Sequence, residues 1–302
     1  MISYLFVSLL SCISAYQIGT GIYDITGPSV EINFMGYAIP GQRGTGIHQR
    51  LRSRAYYIGD DDKHFAFVSA DMGMGSDLVK MRVIDNLNKR LGEGIFTADN
   101  VALSGTHTHS GPAGFIQYTI YQMTSWGFVQ EAFDAFVEGI TNSIVMAYEN
   151  RKGGKIMVAQ GELDDSNINR SPSSYLRNPE EERAQYDADT DKNMLLLKFV
   201  DDAGTDMGML NWFSVHGTSM NNTNTLISGD NKGYASYLIE KDFNRDAAPG
   251  MGPYVAAFAS TNLGDVSPNT AGPKVCFQLV FIYSNLIVIL VDYVLFYYYV
   301  II

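Results

Sequence analysis

The sequence predicts an α/β domain, a mixed sheet or sheets with flanking helices, whose chemistry gathers at the C-terminal ends of the strands. Three observations predict it. Apolar strand-like runs end repeatedly in glycine-rich polar turns, helical periodicities lie between them, and histidines sit in those turns. In open α/β sheets ligands collect beyond the carboxyl ends of the strands, so the histidines stand where a site is expected.

The elements follow in order. Met1 to Ala15 is a short apolar run ending in small residues, which reads as a secretory signal peptide and directs the chain to the secretory pathway, extracellular or at the cell surface. Gly36 to Leu51 is glycine-rich but lacks the Lys-Ser/Thr of a phosphate-cradling loop, so a backbone-dense pocket wall is expected. His64 follows an acidic run and reads as solvated, opening a strand that ends at Ala70 before Asp71-Met-Gly-Met-Gly. Ser76 caps a helix on which Leu78, Val79, Ile84, Leu87 and Leu91 recur until Gly92. Val101 to Ser104 forms a second strand, ending in Gly105-Thr-His107-Thr-His109-Ser-Gly-Pro112. The aromatic stretch from Phe115 to Phe128 reads as core or as the lining of an apolar groove. Glu131 to Tyr148 is helical, and the polar segment from Asp164 to Asp191 is a long surface loop. A third strand from Leu210 to Val215 delivers His216, Lys232 to Phe243 is helical, and a fourth strand from Tyr254 to Ala259 runs into Ser260-Thr-Asn-Leu-Gly. No repeat or linker interrupts residues 16–273, which read as one domain.

The tail from Lys274 to Ile302 changes character. It has no periodicity, and although a bilayer span needs roughly 20 apolar residues, Asp292 lies well inside the run. Its composition reads as translated noncoding sequence rather than a membrane anchor. Cys12 and Cys276 lie outside the domain, so no disulfide framework is expected. A net charge of -11, with 21 Lys and Arg against 32 Asp and Glu, excludes a nucleic-acid partner, which requires a basic face.

Only five histidines occur in the chain. In an extended segment, residues two apart point to one face, so His107 and His109 can reach one cavity, and His216 adds a second strand end. A catalytic zinc takes three protein ligands and keeps one position open. Asp71 and Asp265 are candidates for the third, and spacing does not decide between them. Ser260 to Asn269 suits a nucleophile or carbonyl-orienting loop, though its turn residues by themselves favour a tight loop, and Arg170 suits an oxyanion partner or a surface ion pair.

Together these motifs resemble the neutral ceramidase family of zinc-dependent amidases. The matching segments are Gly19 to Met35, Gly46-Ile-His-Gln-Arg-Leu51, Ser69-Ala-Asp71, Gly105 to Pro112, Asn167-Ile-Asn-Arg-Ser-Pro172, His216-Gly-Thr-Ser-Met220 and Gly264-Asp-Val-Ser-Pro-Asn269. The resemblance implies Zn2+ held by His107 and His216, with His109 and Arg170 around the reacting carbonyl and Ser267 as nucleophile, or a water attacking in its place. It implies hydrolysis of ceramide to sphingosine and a fatty acid at a membrane surface. It further implies a Glu and a Tyr completing the zinc shell and an immunoglobulin-like domain, all beyond Pro273, so the chain is expected to be an incomplete, weakly active or inactive N-terminal part of the catalytic domain. Two alternatives stand beside it: a noncatalytic membrane-tethered lipid-binding fragment, and a metal-independent serine hydrolase using Ser267.

Overall fold

Residues 16–271, with the backbone of Val300–Ile301, are described by a computed structural model of the chain. The elements are β1 (Tyr16–Asp24), β2 (Val30–Asn33), β3 (Arg43–Ile47), β4 (Arg52–Gly59), β5 (His64–Ala70), α1 (Asp77–Leu91), β6 (Val101–Gly105), α2 (Thr119–Ser125), α3 (Gln130–Glu149), β7 (Lys152–Glu162), β8 (Ile168–Asn169), α4 (Pro172–Tyr175), α5 (Glu180–Arg183), β9 (Asn193–Asp201), β10 (Asp206–Phe213), β11 (Leu226–Ile227), α6 (Asp230–Phe243), β12 (Val255–Ser260), β13 (Val266–Ser267) and β14 (Val300–Ile301).

The main sheet runs β12-β10-β9-β7-β1-β4-β5-β6, with β14 on β7. Its two margins, β10 with β12 and β5 with β6, are parallel pairs, and the strands between them are antiparallel. This mixed sheet with flanking helices is the predicted class. The sheet doubles over, so that β12 packs against β1, β4, β5 and β6 of the opposite wing. Ile18, Ile22, Tyr56, Phe199, Leu210, Val255 and Ala257 fill the space between the wings. The Tyr56 hydroxyl crosses that space to the carbonyls of Met209 and Val255. Outside, α1 and α3 cover one wing through Ala55, Val68, Val83, Phe136 and Ile140, and α6 covers the other through Ala235 and Ile239. Burying successive residues of one strand on opposite faces is what a two-sided sheet requires.

The predicted helices appear within two residues of their expected starts, and Ser76 caps α1 by accepting from the Val79 amide at 3.4 Å. The loop after β7 carries two exposed single-turn helices, α4 and α5, and is pinned at its ends by buried Ser166, Asn167, Asn169 and Thr190. One expectation fails: His64 is half-buried, its Nδ1 2.8 Å from the Tyr57 hydroxyl and its ring against Tyr148, because β5 turns that residue toward an aromatic cluster. Among the described residues no helix is long and apolar enough to cross a membrane. The leader at 1–15 and the tail at 274–302, apart from the backbone of Val300–Ile301, lie outside them.

Doubling the sheet over brings its margins together. The registers Ala70↔Gly105 and Phe213↔Ser260 end both parallel pairs level, and the Ser260 hydroxyl donates to the Thr106 carbonyl at 3.3 Å across the gap. Four carboxyl ends therefore meet at one place.

Candidate metal centre

Beyond β6 the chain hooks over β5, with the Thr106 amide donating to Ala70 and the His107 amide to Met72. His107 takes a left-handed backbone conformation at φ 63°, uncommon outside glycine. The turn lays Thr108 alongside Gly217, and the His109 amide donates to the Gly217 carbonyl at 3.1 Å. Only glycine fits at 217, since a Cβ there would lie 2.2 Å from the His107 carbonyl oxygen. Gly36, at φ 127°, gives the His109 ring its room in the same way, and the Tyr37 ring meets it edge-on at 4.6 Å. Gly36 and Tyr37, at the start of the glycine-rich segment, thus wall the His109 ring.

Three imidazoles converge here. His107 Nε2 lies 3.1 Å from His216 Nε2 and 3.2 Å from His109 Nε2, and no other group of three or more His, Cys, Asp and Glu among the described residues gathers closely enough to hold a metal ion. His107 Nδ1 is 2.5 Å from the Gly73 carbonyl oxygen and His216 Nδ1 is 2.8 Å from that of Leu263. A carbonyl can only accept, so each Nδ1 carries the proton and each Nε2 turns a lone pair inward. His109 Nδ1 is buried without a hydrogen-bond partner. Burial first, then the neighbouring imidazoles and Arg170, depress His109 to about 3. Burial likewise brings His216 to about 4, against the hydrogen bond to Leu263, and lowers His107. All three are neutral at pH 7.

Facing lone pairs at this separation repel unless a cation lies among them. Two ligands each roughly 2.0–2.1 Å from a tetrahedral zinc sit about 3.3 Å apart, so the spacing fits a metal of that size. Imidazole suits zinc, copper, iron and nickel alike.

The other predicted residues divide. Arg170 is exposed, yet its charge is felt by all three histidines. Ser267 lies across the β8–β13 ribbon, opposite Ile168, and the Arg170 amide donates to the Asp265 carbonyl at 2.7 Å, so the ribbon holds Arg170 and Ser267 in one unit. The Ser267 hydroxyl oxygen is half-buried and accepts from the Asn269 amide at 3.2 Å. Neither aspartate considered as third ligand joins the cluster. Asp71 is fully buried but accepts from Arg54 at 3.0 Å and from the Arg52 amide at 2.9 Å, in a network where Arg54 also meets Glu240 at 2.7 Å. Asp265 is exposed. His107 and His109 do share one cavity, as their spacing predicts, but through the left-handed turn at His107 rather than through an extended segment, and the motif's alternation gives no signal of that turn.

Comparison with known proteins identifies the family. Residues 16–279 match the family described as neutral/alkaline non-lysosomal ceramidase, N-terminal. Neutral ceramidase A of Dictyostelium discoideum is 53% identical over 266 residues, covering 87% of this chain and 37% of that protein. Neutral ceramidase of Drosophila melanogaster is 50% identical over 276 residues, covering 90% and 39%. A solved ceramidase complexed with C2 superposes with a TM-score of 0.82 at 39% identity, covering 91% of this chain and 42% of that one. The neutral ceramidase from Pseudomonas aeruginosa gives 0.81 at 39%, covering 91% and 43%. The chain spans less than half the length of these relatives. With its matched region and its half-identical relatives, it belongs to the neutral/alkaline non-lysosomal ceramidase family.

Proposed function

We propose that the chain carries the histidine cluster of a zinc-dependent amidase that hydrolyses the N-acyl bond of ceramide to sphingosine and a free fatty acid. The observation that carries this reading is the convergence of three neutral imidazoles on one point. Family membership supports the substrate class.

His107 and His216 are assigned to zinc because both have Nδ1 anchored on a carbonyl, the usual arrangement of a metal-ligating histidine. Bound zinc supplies Lewis acidity toward the amide carbonyl. His109, whose Nδ1 is uncommitted, faces the substrate. Arg170 supplies positive potential where the carbonyl oxygen becomes negative. Ser267 Oγ is the nucleophile. Its bond to the acyl carbon forms as the C–N bond breaks, its proton passes to the sphingosine nitrogen, and water then releases the fatty acid and restores the hydroxyl. A water attacking directly gives the same products in one displacement.

The substrate reaches the site from a lipid surface. Asn100 to Gln130 contains no Asp, Glu, Lys or Arg. Around α2, ten residues after His109, Ile120, Met123 and Trp126 are 71%, 72% and 67% exposed. Exposed aromatic and apolar side chains grouped in this way suit a membrane interface. The leader at Met1 to Ala15 assigns the protein to the secretory pathway.

The test is a zinc titration of the purified chain followed by ceramide hydrolysis, read as released fluorescent fatty acid. Zinc binds at one equivalent, chelation abolishes whatever turnover the chain shows, and His107→Ala and His216→Ala each weaken zinc binding by more than the roughly 10–100-fold that loss of an outer partner costs. A chain that binds no zinc above background overturns the reading, and turnover surviving complete chelation replaces it with a metal-independent serine hydrolase.

A further inference from the structure

The two histidine loops come from opposite wings of the sheet, yet one short segment hydrogen-bonds to both. The Ser228 carbonyl accepts from the Thr108 hydroxyl at 2.7 Å and its amide donates to the Ser110 carbonyl at 3.0 Å, which ties down the His107–His109 loop. Asp230, at φ 55°, accepts from the amides of Ser219 at 2.9 Å and Met220 at 2.8 Å. Asn231 Nδ2 donates to the His216 carbonyl at 2.8 Å and the Ser219 hydroxyl at 3.0 Å, and Lys232 Nζ donates to the Val215 carbonyl at 2.6 Å. These last contacts tie down the His216 loop.

Ser228, Asp230, Asn231 and Lys232 are all buried. A helix can begin without a buried Asp and a buried Lys, and taking either side chain from water is expensive unless it is bonded. Here both are spent on main-chain groups of residues 215–220. Gly229 and Gly233 complete the arrangement, for a Cβ at either would come within 3.3 Å of the Asp71 carboxyl. Asp71 is thus the floor beneath this segment.

We infer that Ser228–Lys232 is a bracket of positioning residues that sets the separation of the imidazoles before any metal arrives. Its consequence for zinc rests on the function proposed above, and the geometric claim does not. The bracket joins a loop at each wing to the start of α6, so loosening one loop loosens the other.

Two measurements on the chain decide it. In metal-free protein, hydrogen exchange is followed in peptides covering 106–110 and 215–220. Asn231→Ala, which contacts only the second loop directly, accelerates exchange about 10-fold in both. Ile239→Ala, a buried change in the same helix, lowers stability without that selective pattern. Zinc affinity is then measured by chelator competition, with the visible spectrum of the cobalt form as a check on geometry. Asn231→Ala weakens zinc by roughly 10–100-fold and shifts the cobalt bands, as loss of an outer partner of a ligand does, and Ile239→Ala does neither. Lys232→Met, which removes the Val215 hydrogen bond and the charge beside Asp230, repeats both measurements should Asn231→Ala fail to fold. Exchange confined to 215–220 with wild-type zinc affinity overturns the bracket and leaves the zinc reading intact. A wild-type chain that binds no zinc overturns the zinc reading, and exchange alone then judges the bracket.

Discussion

Burial depresses His109 to about 3 and His216 to about 4, and this has a sign that can be read in solution. An unfolded histidine titrates near 6.5, so between that value and the folded one the unfolded chain binds more protons than the folded chain. Stability from the neutral cluster is fully present above about pH 6.5 and is lost as pH falls toward 4. Each of the two sites withdraws on the order of 1–2 kcal/mol by pH 5 in the metal-free chain. Denaturation midpoints at pH 7 and pH 5 should therefore separate, and His109→Gln should shrink the separation. An equal pH dependence in that variant would show that His109 is not held neutral by its surroundings. The same depression means that protons compete poorly for the Nε2 atoms of His109 and His216 above pH 6, so metal affinity should vary less from pH 6 to 8 than it would for histidines titrating near 6.5.

At the scale of the element, the packing of α3 on β1 depends on missing side chains. A Cβ at Gly21 would lie 2.2 Å from the Ser143 carbonyl, one at Gly19 would lie 1.9 Å from that of Ala147, and one at Gly139 on the helix would lie 2.3 Å from the Asp24 carbonyl. Gly21→Ala should cost about 3 kcal/mol by forcing helix and strand apart, visible in urea denaturation; a neutral result would mean that α3 does not lie so close. This close approach also explains which strands the sequence discloses. β5, β6, β10 and β12 are apolar runs that stop at polar turns, and they are legible. β1 interrupts its pattern with Gly19 and Gly21, β7 with Gly153, Gly154 and Gly161, and β4 carries Arg52 and Arg54, the latter buried against Asp71 and Glu240. Glycine required by a helix and charge neutralised by distant residues both erase the alternation that marks a strand. In the site, His107, His109 and His216 are legible as histidines at strand ends. The bracket is not, because Asp230-Asn231-Lys232 reads as an ordinary helix start until its partners at 108–110 and 215–220 are known.

For the molecule as a whole, the cluster joins two wings: His107 and His109 follow β6, and His216 follows β10. The wings already share an apolar interior and the Tyr56 hydroxyl bridge. A metal bound between them binds the folded chain and not the unfolded one, so it stabilises by mass action, about 2.7 kcal/mol when free metal is 100 times the dissociation constant. For a domain of this size that is a rise in Tm of roughly 5–10 °C, in a single transition, since both wings must separate for the site to be lost. His216→Ala removes the ligand contributed by one wing and should abolish the rise. Tyr56→Phe removes a bridge between the wings but no ligand, so it should lower Tm with and without zinc while preserving the difference. Scanning calorimetry of the three proteins with and without zinc separates these cases. A rise that persists in His216→Ala would place the metal on the His107–His109 wing alone, and the meeting of the wings would then owe nothing to it.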